Sequence, residues 1–139
     1  MNNKLLRAVV DTNVMIAAHS GSVESPNAQL RNRWTDSEFI LLYSLDILTE
    51  YIEKLLEKNV SRDSIRELLL DIQAMGEFVT VERFHERKYP EDEDDIAFIL
   101  CATNGNATHL VTYDRHLLDI ADAYEFVICR PKTFLSSLG

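Results

Sequence analysis

The chain predicts a three-layer α/β/α sandwich built on a central, largely parallel sheet. Two observations carry that prediction. Short runs of branched and aromatic residues recur along the 139 residues and alternate with segments of helical periodicity. That order defines βα units, and βα units make a parallel sheet covered on both faces. The first and fourth of these runs stop on a carboxylate, Asp11 and Asp114. In open α/β sheets, the turns at the carboxyl ends of strands are where ligands sit.

The elements follow in order. Strands are expected over residues 5–10, 39–43, 78–81, 109–112 and 126–129, each rich in residues that favour a pleated, buried surface. A second apolar run, Val14 to Ala18, follows Asp11 at once, so this acid stands at a strand-to-helix turn. Ser25-Pro26 reads as an N-cap and N1 proline opening a helix toward Trp34. Ser44 caps a helix through about residue 58, with Leu45, Leu48, Ile52, Leu55 and Leu56 as its apolar stripe. Ser61 caps another through about Met75, ended by Gly76. A further helix runs over residues 93–104 and is closed by Gly105, and short helical turns follow Asp114 and Pro131.

Composition bounds the function. The length suits one domain over residues 1–139 with a sizeable core, and 46% hydrophobic residues fit a globular chain. No stretch reaches the roughly 18 apolar residues of a membrane span, so no membrane partner is expected. Met1-Asn2-Asn3-Lys4 lacks the pattern of a signal peptide. Cys101 and Cys129 lie inside apolar runs, as buried free thiols do, and a reducing cytoplasm fits them. Four glycines, with neither a GxGxxG nor a GxxxxGKS pattern, argue against phosphate-cradling loops. The net charge of −9 argues against nucleic-acid binding through a large basic surface. It leaves room for an enzyme that holds nucleic acid through metal and a small basic patch.

Part of the acidity is concentrated in Glu91-Asp92-Glu93-Asp94-Asp95. Most of that run suits a solvated helix start that compensates the dipole. Asp95 differs by phase: at about 100° per residue it shares a face with Phe98, Ile99 and Ala102, the face that packs inward. A carboxylate there is costly unless it is paired or metal-bound. Taken singly, Asp11 and Asp114 also fit N-caps of the short helices behind them, and Asp95 also fits a group bonding first-turn amides. As a set, three acids sharing one side of a parallel sheet point to a cation. Hard oxygen ligands without His or Cys suit Mg²⁺ or Mn²⁺. Thr12 and Thr112 are candidates to orient such ligands, or are simply strand-end residues. Residues 83–89, Arg-Phe-His-Glu-Arg-Lys-Tyr, mix basic and aromatic side chains as single-strand binders do, although an ordinary charged loop has the same composition. Arg115, His116, Arg130 and Lys132 follow strand ends beside the acids.

Four segments in this order resemble the PIN-domain ribonuclease family, including VapC-like toxins of bacterial toxin–antitoxin pairs. They are Val9-Val10-Asp11-Thr12-Asn13-Val14, Leu48-Thr49-Glu50-Tyr51, Asp92-Glu93-Asp94-Asp95-Ile96-Ala97-Phe98, and Leu110-Val111-Thr112-Tyr113-Asp114 with Leu117-Leu118. The closing Arg130-Pro131-Lys132-Thr133-Phe134-Leu135 is similar to the end of one PIN subfamily. The resemblance implies a Mg²⁺- or Mn²⁺-dependent nuclease with catalytic, metal-binding acids at Asp11, Glu50, Asp95 and Asp114, and with Asn13 supporting Asp11. Glu50 is selected by the resemblance only, since the apolar stripe read above leaves it facing solvent. RNA is the implied substrate, with Arg87, Lys88, Arg115 and His116 as candidate contacts. A cognate antitoxin and a homodimer are the implied partners, the dimer also being suggested by the apolar segment around Trp34 and Phe39. Glu93 stands where that subfamily usually has proline. Two other readings stay open: a PIN-like metal- or RNA-binding module with little turnover, and a phosphoacceptor signalling domain. The second needs an acceptor Asp after the third strand, where this chain has Val81-Glu82-Arg83.

Overall fold

The computed structural model describes residues 5–19, 22–85 and 89–139. Its sheet has five strands, β1 (Arg7–Val10), β2 (Ile40–Tyr43), β3 (Gly76–Phe78), β4 (His109–Val111) and β5 (Val127–Cys129), in the order β3-β2-β1-β4-β5. Every neighbouring pair is parallel. The helices are α1 (Thr12–Ala17), α2 (Pro26–Thr35), α3 (Leu45–Glu57), α4 (Arg62–Met75), α5 (Ile96–Asn104), α6 (Arg115–Asp119) and α7 (Pro131–Leu138). They cover both faces and make the α/β sandwich. Because all strands run the same way, the residues that follow them gather along one edge. Registers Val9↔Leu110 and Val10↔Val111 set the ends of β1 and β4 side by side.

Local chemistry sets these limits. Ser25, Ser44 and Ser61 each accept a hydrogen bond from the amide three residues on, at 3.2, 3.3 and 3.2 Å, so three predicted N-caps are made. Gly105 follows α5 where a Cβ would come within 3.0 Å of Leu42 and 2.8 Å of Val79, so only glycine lets the helix end this close to the sheet. The core is filled by Val9, Leu41, Leu42, Leu110 and Val111 from the central strands, with Phe98 of α5 and Phe134 of α7.

Four expectations need correction. The third strand begins two residues early. Gly76 ends α4 and also pairs with Leu41, its missing side chain leaving room for the Tyr43 ring, so no loop separates helix from strand. The helix expected over residues 93–104 opens with a 3₁₀ turn, Glu93–Asp95, before α5 begins. In α3 the buried residues are Ile47, Tyr51 and Leu55, while Leu45 and Leu56 are 65% and 54% exposed. The inward face is thus rotated by about 80–90° at 100° per residue, away from the leucines and toward Glu50. Trp34 and Phe39 lie in the core, so they offer no surface to a second subunit.

Candidate metal centre

Asp11 sits between β1 and α1, and its amide donates to the Val111 carbonyl of β4 at 2.9 Å, locking the two strand ends together. It occupies the N-cap position of α1 without making a side-chain cap bond. Its Oδ2 instead accepts from the buried Thr112 hydroxyl at 2.6 Å. The Thr112 Oγ1 in turn accepts from the Asp114 amide at 2.9 Å, which fixes the turn after β4. Asp114 does cap its helix, taking the His116 amide at 2.9 Å on Oδ1. Asp95 arrives from the other direction, as the last residue of the 3₁₀ turn, with Asp92 capping that turn through the Asp94 amide.

The three carboxylates converge. Asp11, Asp95 and Asp114 each place an oxygen within 4.8 Å of the others. Ligands of one octahedral Mg²⁺ lie about 3.0 Å apart when adjacent and about 4.2 Å apart when opposite, so the three carboxylates would draw together to share one ion. Asp11 and Asp95 are 5% and 6% exposed, and Asp114 is half-buried. Asp95 Oδ2 is buried with no hydrogen-bond partner. A buried polar atom without a partner is rare and costly, and a hard cation among hard oxygens would relieve it. The electrostatics agree. Burial, then the hydrogen bond to and charge of Asp114, then the charges of Asp11 and Asp92, push the Asp95 carboxyl up to about 8. Burial also raises Asp11, with the Thr112 hydroxyl opposing and the Asp114 charge adding to the rise.

Glu50 stands outside this trio but is coupled to it. Its Oε2 accepts from the Thr12 hydroxyl, and Thr12 follows Asp11 in the chain. It is half-buried, not solvated. Burial, chiefly, and the charges of Asp11 and Asp94 raise its carboxyl, while the bond from Thr12 lowers it. Both threonines therefore hold acids in place. Asn13 is exposed, and its support of Asp11 comes through its backbone amide, which opposes the rise of the Asp11 carboxyl. Asp92, Glu93 and Asp94 are exposed, as a solvated helix start should be.

Among the basic candidates, Arg115, Arg130 and Lys132 are exposed. His116 is also exposed, with Nδ1 3.5 Å from Glu91 Oε2. Arg87 and Lys88 lie outside the described residues. One contributor was not singled out from the sequence: Tyr51, fully buried on α3, donates its hydroxyl to the Val10 carbonyl just before Asp11. Its helical spacing with Ile47 and Leu55 was the available signal.

A parallel α/β sandwich that collects carboxylates along the carboxyl edge of its sheet has the form of a nuclease-type metal domain. Residues 7–116 match the family model described as PIN domain, and the chain belongs to that family. PIN domains are generally metal-dependent nucleases and typically use a divalent metal. No match was found among curated proteins. The thiols of Cys101 and Cys129 are buried and pushed up to about 12 and about 11 by burial, which leaves them chemically quiet beside the site. Among the described residues no helix is long and apolar enough to cross a membrane.

Proposed function

We propose that this chain is a Mg²⁺- or Mn²⁺-dependent ribonuclease of the VapC-like kind, the toxin of a toxin–antitoxin pair, acting in the cytoplasm. The observation that carries the metal-dependent part is the unpartnered, buried Asp95 oxygen beside Asp11 and Asp114. Family membership supports hydrolysis of a phosphodiester. Divalent ions supply, when bound, the positive charge that orients water and offsets the negative charge building on the phosphate and its leaving oxygen.

The chain's own groups prepare that site. Thr112 orients Asp11 by holding its Oδ2. Asp114 holds the His116 amide on Oδ1 and contributes a carboxylate oxygen to the cluster. Asp95 must shed its proton to ligate, so it couples metal affinity to pH. Glu50, steadied by Thr12, is the fourth acid, set back from the trio where it can serve a second ion or a water. Four carboxylates offset two divalent charges. Arg115, Arg130 and Lys132, exposed after the ends of β4 and β5, are the cations for RNA phosphates. Self-association, bringing basic residues from a second subunit, would help a chain of charge −9 hold RNA, and an antitoxin would mask the same edge.

The test is cleavage of labelled single-stranded RNA by the purified chain in Mn²⁺ or Mg²⁺, against EDTA and against Asp11→Asn. Metal-dependent cutting that the variant lacks is expected. Tight metal binding without any cutting would leave a PIN-like binding module and end the ribonuclease reading.

A further inference from the structure

Among the described residues, Phe78, Phe84, Tyr89 and Tyr113 are the large aromatic side chains with exposed surface. Of these, Tyr113 adjoins a carboxylate of the cluster. It stands between Thr112, which bonds Asp11, and Asp114 itself. Its Cα is thus about 3.8 Å from that of Asp114. Thr112 and Tyr113 both lie past the end of β4, in the turn that leads to α6. Thr112 is fully buried, whereas Tyr113 is 41% exposed. An exposed tyrosine would ordinarily sample several rotamers. This one is fixed, because its hydroxyl donates to Asn27 Oδ1 of α2 at 2.9 Å.

We infer that Tyr113 is a platform on which an unpaired nucleobase stacks beside the phosphate held at the acidic cluster. The inference rests on the ribonuclease reading for the phosphate. For the base, it rests on the ring's exposure, its place and its fixed geometry. An aromatic face held in advance loses little entropy when a base lands on it. Stacking takes any base, so it selects strandedness over sequence. In a duplex the base faces are already covered by their neighbours. Because the ring does not touch the reacting atoms, Tyr113 is a positioning residue, and its loss should appear in binding of the strand.

The experiment is a cycle between Tyr113 and the base. A fluorescently labelled single-stranded RNA is prepared as a set, each member carrying one abasic ribose at a successive position. Kd is measured by anisotropy in Ca²⁺, and kcat/KM in Mn²⁺, for the unaltered chain, Tyr113→Leu and Tyr113→Phe. For the unaltered chain, removing the base at one position should weaken binding about 5- to 140-fold, the range of one base–aromatic stack. Tyr113→Leu should already bind the intact strand that much more weakly, and the same abasic site should cost it less than about twofold. Tyr113→Phe keeps the ring but loses Asn27, so it should retain most of the abasic penalty. If the leucine variant does not fold, Tyr113→Gln, a ring-free replacement suited to an exposed position, takes its place with the same expected loss of the penalty. The inference is overturned if no single base matters to the unaltered chain, or if Tyr113→Leu shows the same abasic penalty as the parent. The Kd arm needs no turnover. Absence of cleavage in Mn²⁺ would therefore sink the ribonuclease reading, while the binding cycle would still decide the platform.

Discussion

A carboxylate that is 6% exposed, with one oxygen unbonded, has two ways to lower its energy: keep a proton or take a cation. Asp95 takes the first course when metal is absent, which is what its elevation to about 8 means. The sign of the consequence follows. An unfolded Asp titrates near 3.9, so between about pH 4 and pH 8 the folded chain holds more protons than the unfolded one. Stability from this group is complete below pH 4 and is lost as pH rises toward 8. In EDTA, the melting temperature of Asp95→Asn should exceed that of the parent by an amount that grows from pH 5 to pH 8, as thermal melts across that range would show. A constant difference would mean that Asp95 does not hold the proton. With metal the order reverses. Asp95→Asn should cut Mn²⁺-dependent cleavage by orders of magnitude, while Asp94→Asn, an exposed helix-start charge contributing about 0.3–1 kcal/mol, should stay within a few-fold of the parent. Equal rates for the two variants would show Asp95 to be structural.

At the scale of elements, α3 shows how an apolar stripe can mislead. Its apolar residues spread over half the helix, and the ones that pack inward are Ile47, Tyr51 and Leu55. Tyr51 is the one that a count of aliphatic residues undervalues, because its ring is buried for its apolar area while its hydroxyl finds the Val10 carbonyl. The same rotation brings Glu50 toward the cluster, where the leucine stripe had left it in solvent. Leu55→Ala should therefore cost about 2–5 kcal/mol and Leu56→Ala less than about 0.5, measured by urea unfolding. Comparable losses would restore the leucine-centred face. The link between β1 and β4 can be probed in the same way. Thr112→Val keeps the shape but removes the bond to Asp11 and the partner of the Asp114 amide. It should lower stability by about 1–3 kcal/mol and weaken Mn²⁺ binding, as unfolding and calorimetry would show. Intact metal affinity in that variant would mean that Thr112 does not orient the ligands.

For the whole molecule, the sheet's direction was legible because every strand is bounded by helical periodicity, and parallel strands place their ends on one edge whatever the details of the loops. The trio was legible for the same reason: Asp11 and Asp114 follow adjacent strands, and Asp95 falls on the buried phase of its helix. The start of β3 was not, because Gly76 serves as helix end and strand residue together, and composition marks only the first role. The dimer suggested by Trp34 and Phe39 loses that motive, since both side chains fill the core. Sedimentation remains the way to test association, a species of twice 16.0 kDa supporting it and a monomer at all concentrations opposing it. Metal should act on the entire fold: at a hundredfold over Kd, binding to the native state adds about 2.7 kcal/mol, which raises the melting temperature by several degrees. The central claim is that Asp11, Asp95 and Asp114 form one divalent-metal site. The most direct measurement is anomalous diffraction from crystals soaked in Mn²⁺. A peak bonded at about 2.1 Å to an oxygen of each of the three carboxylates is the predicted result. An empty cluster at millimolar Mn²⁺, or a peak that leaves Asp95 Oδ2 unbonded, would contradict it.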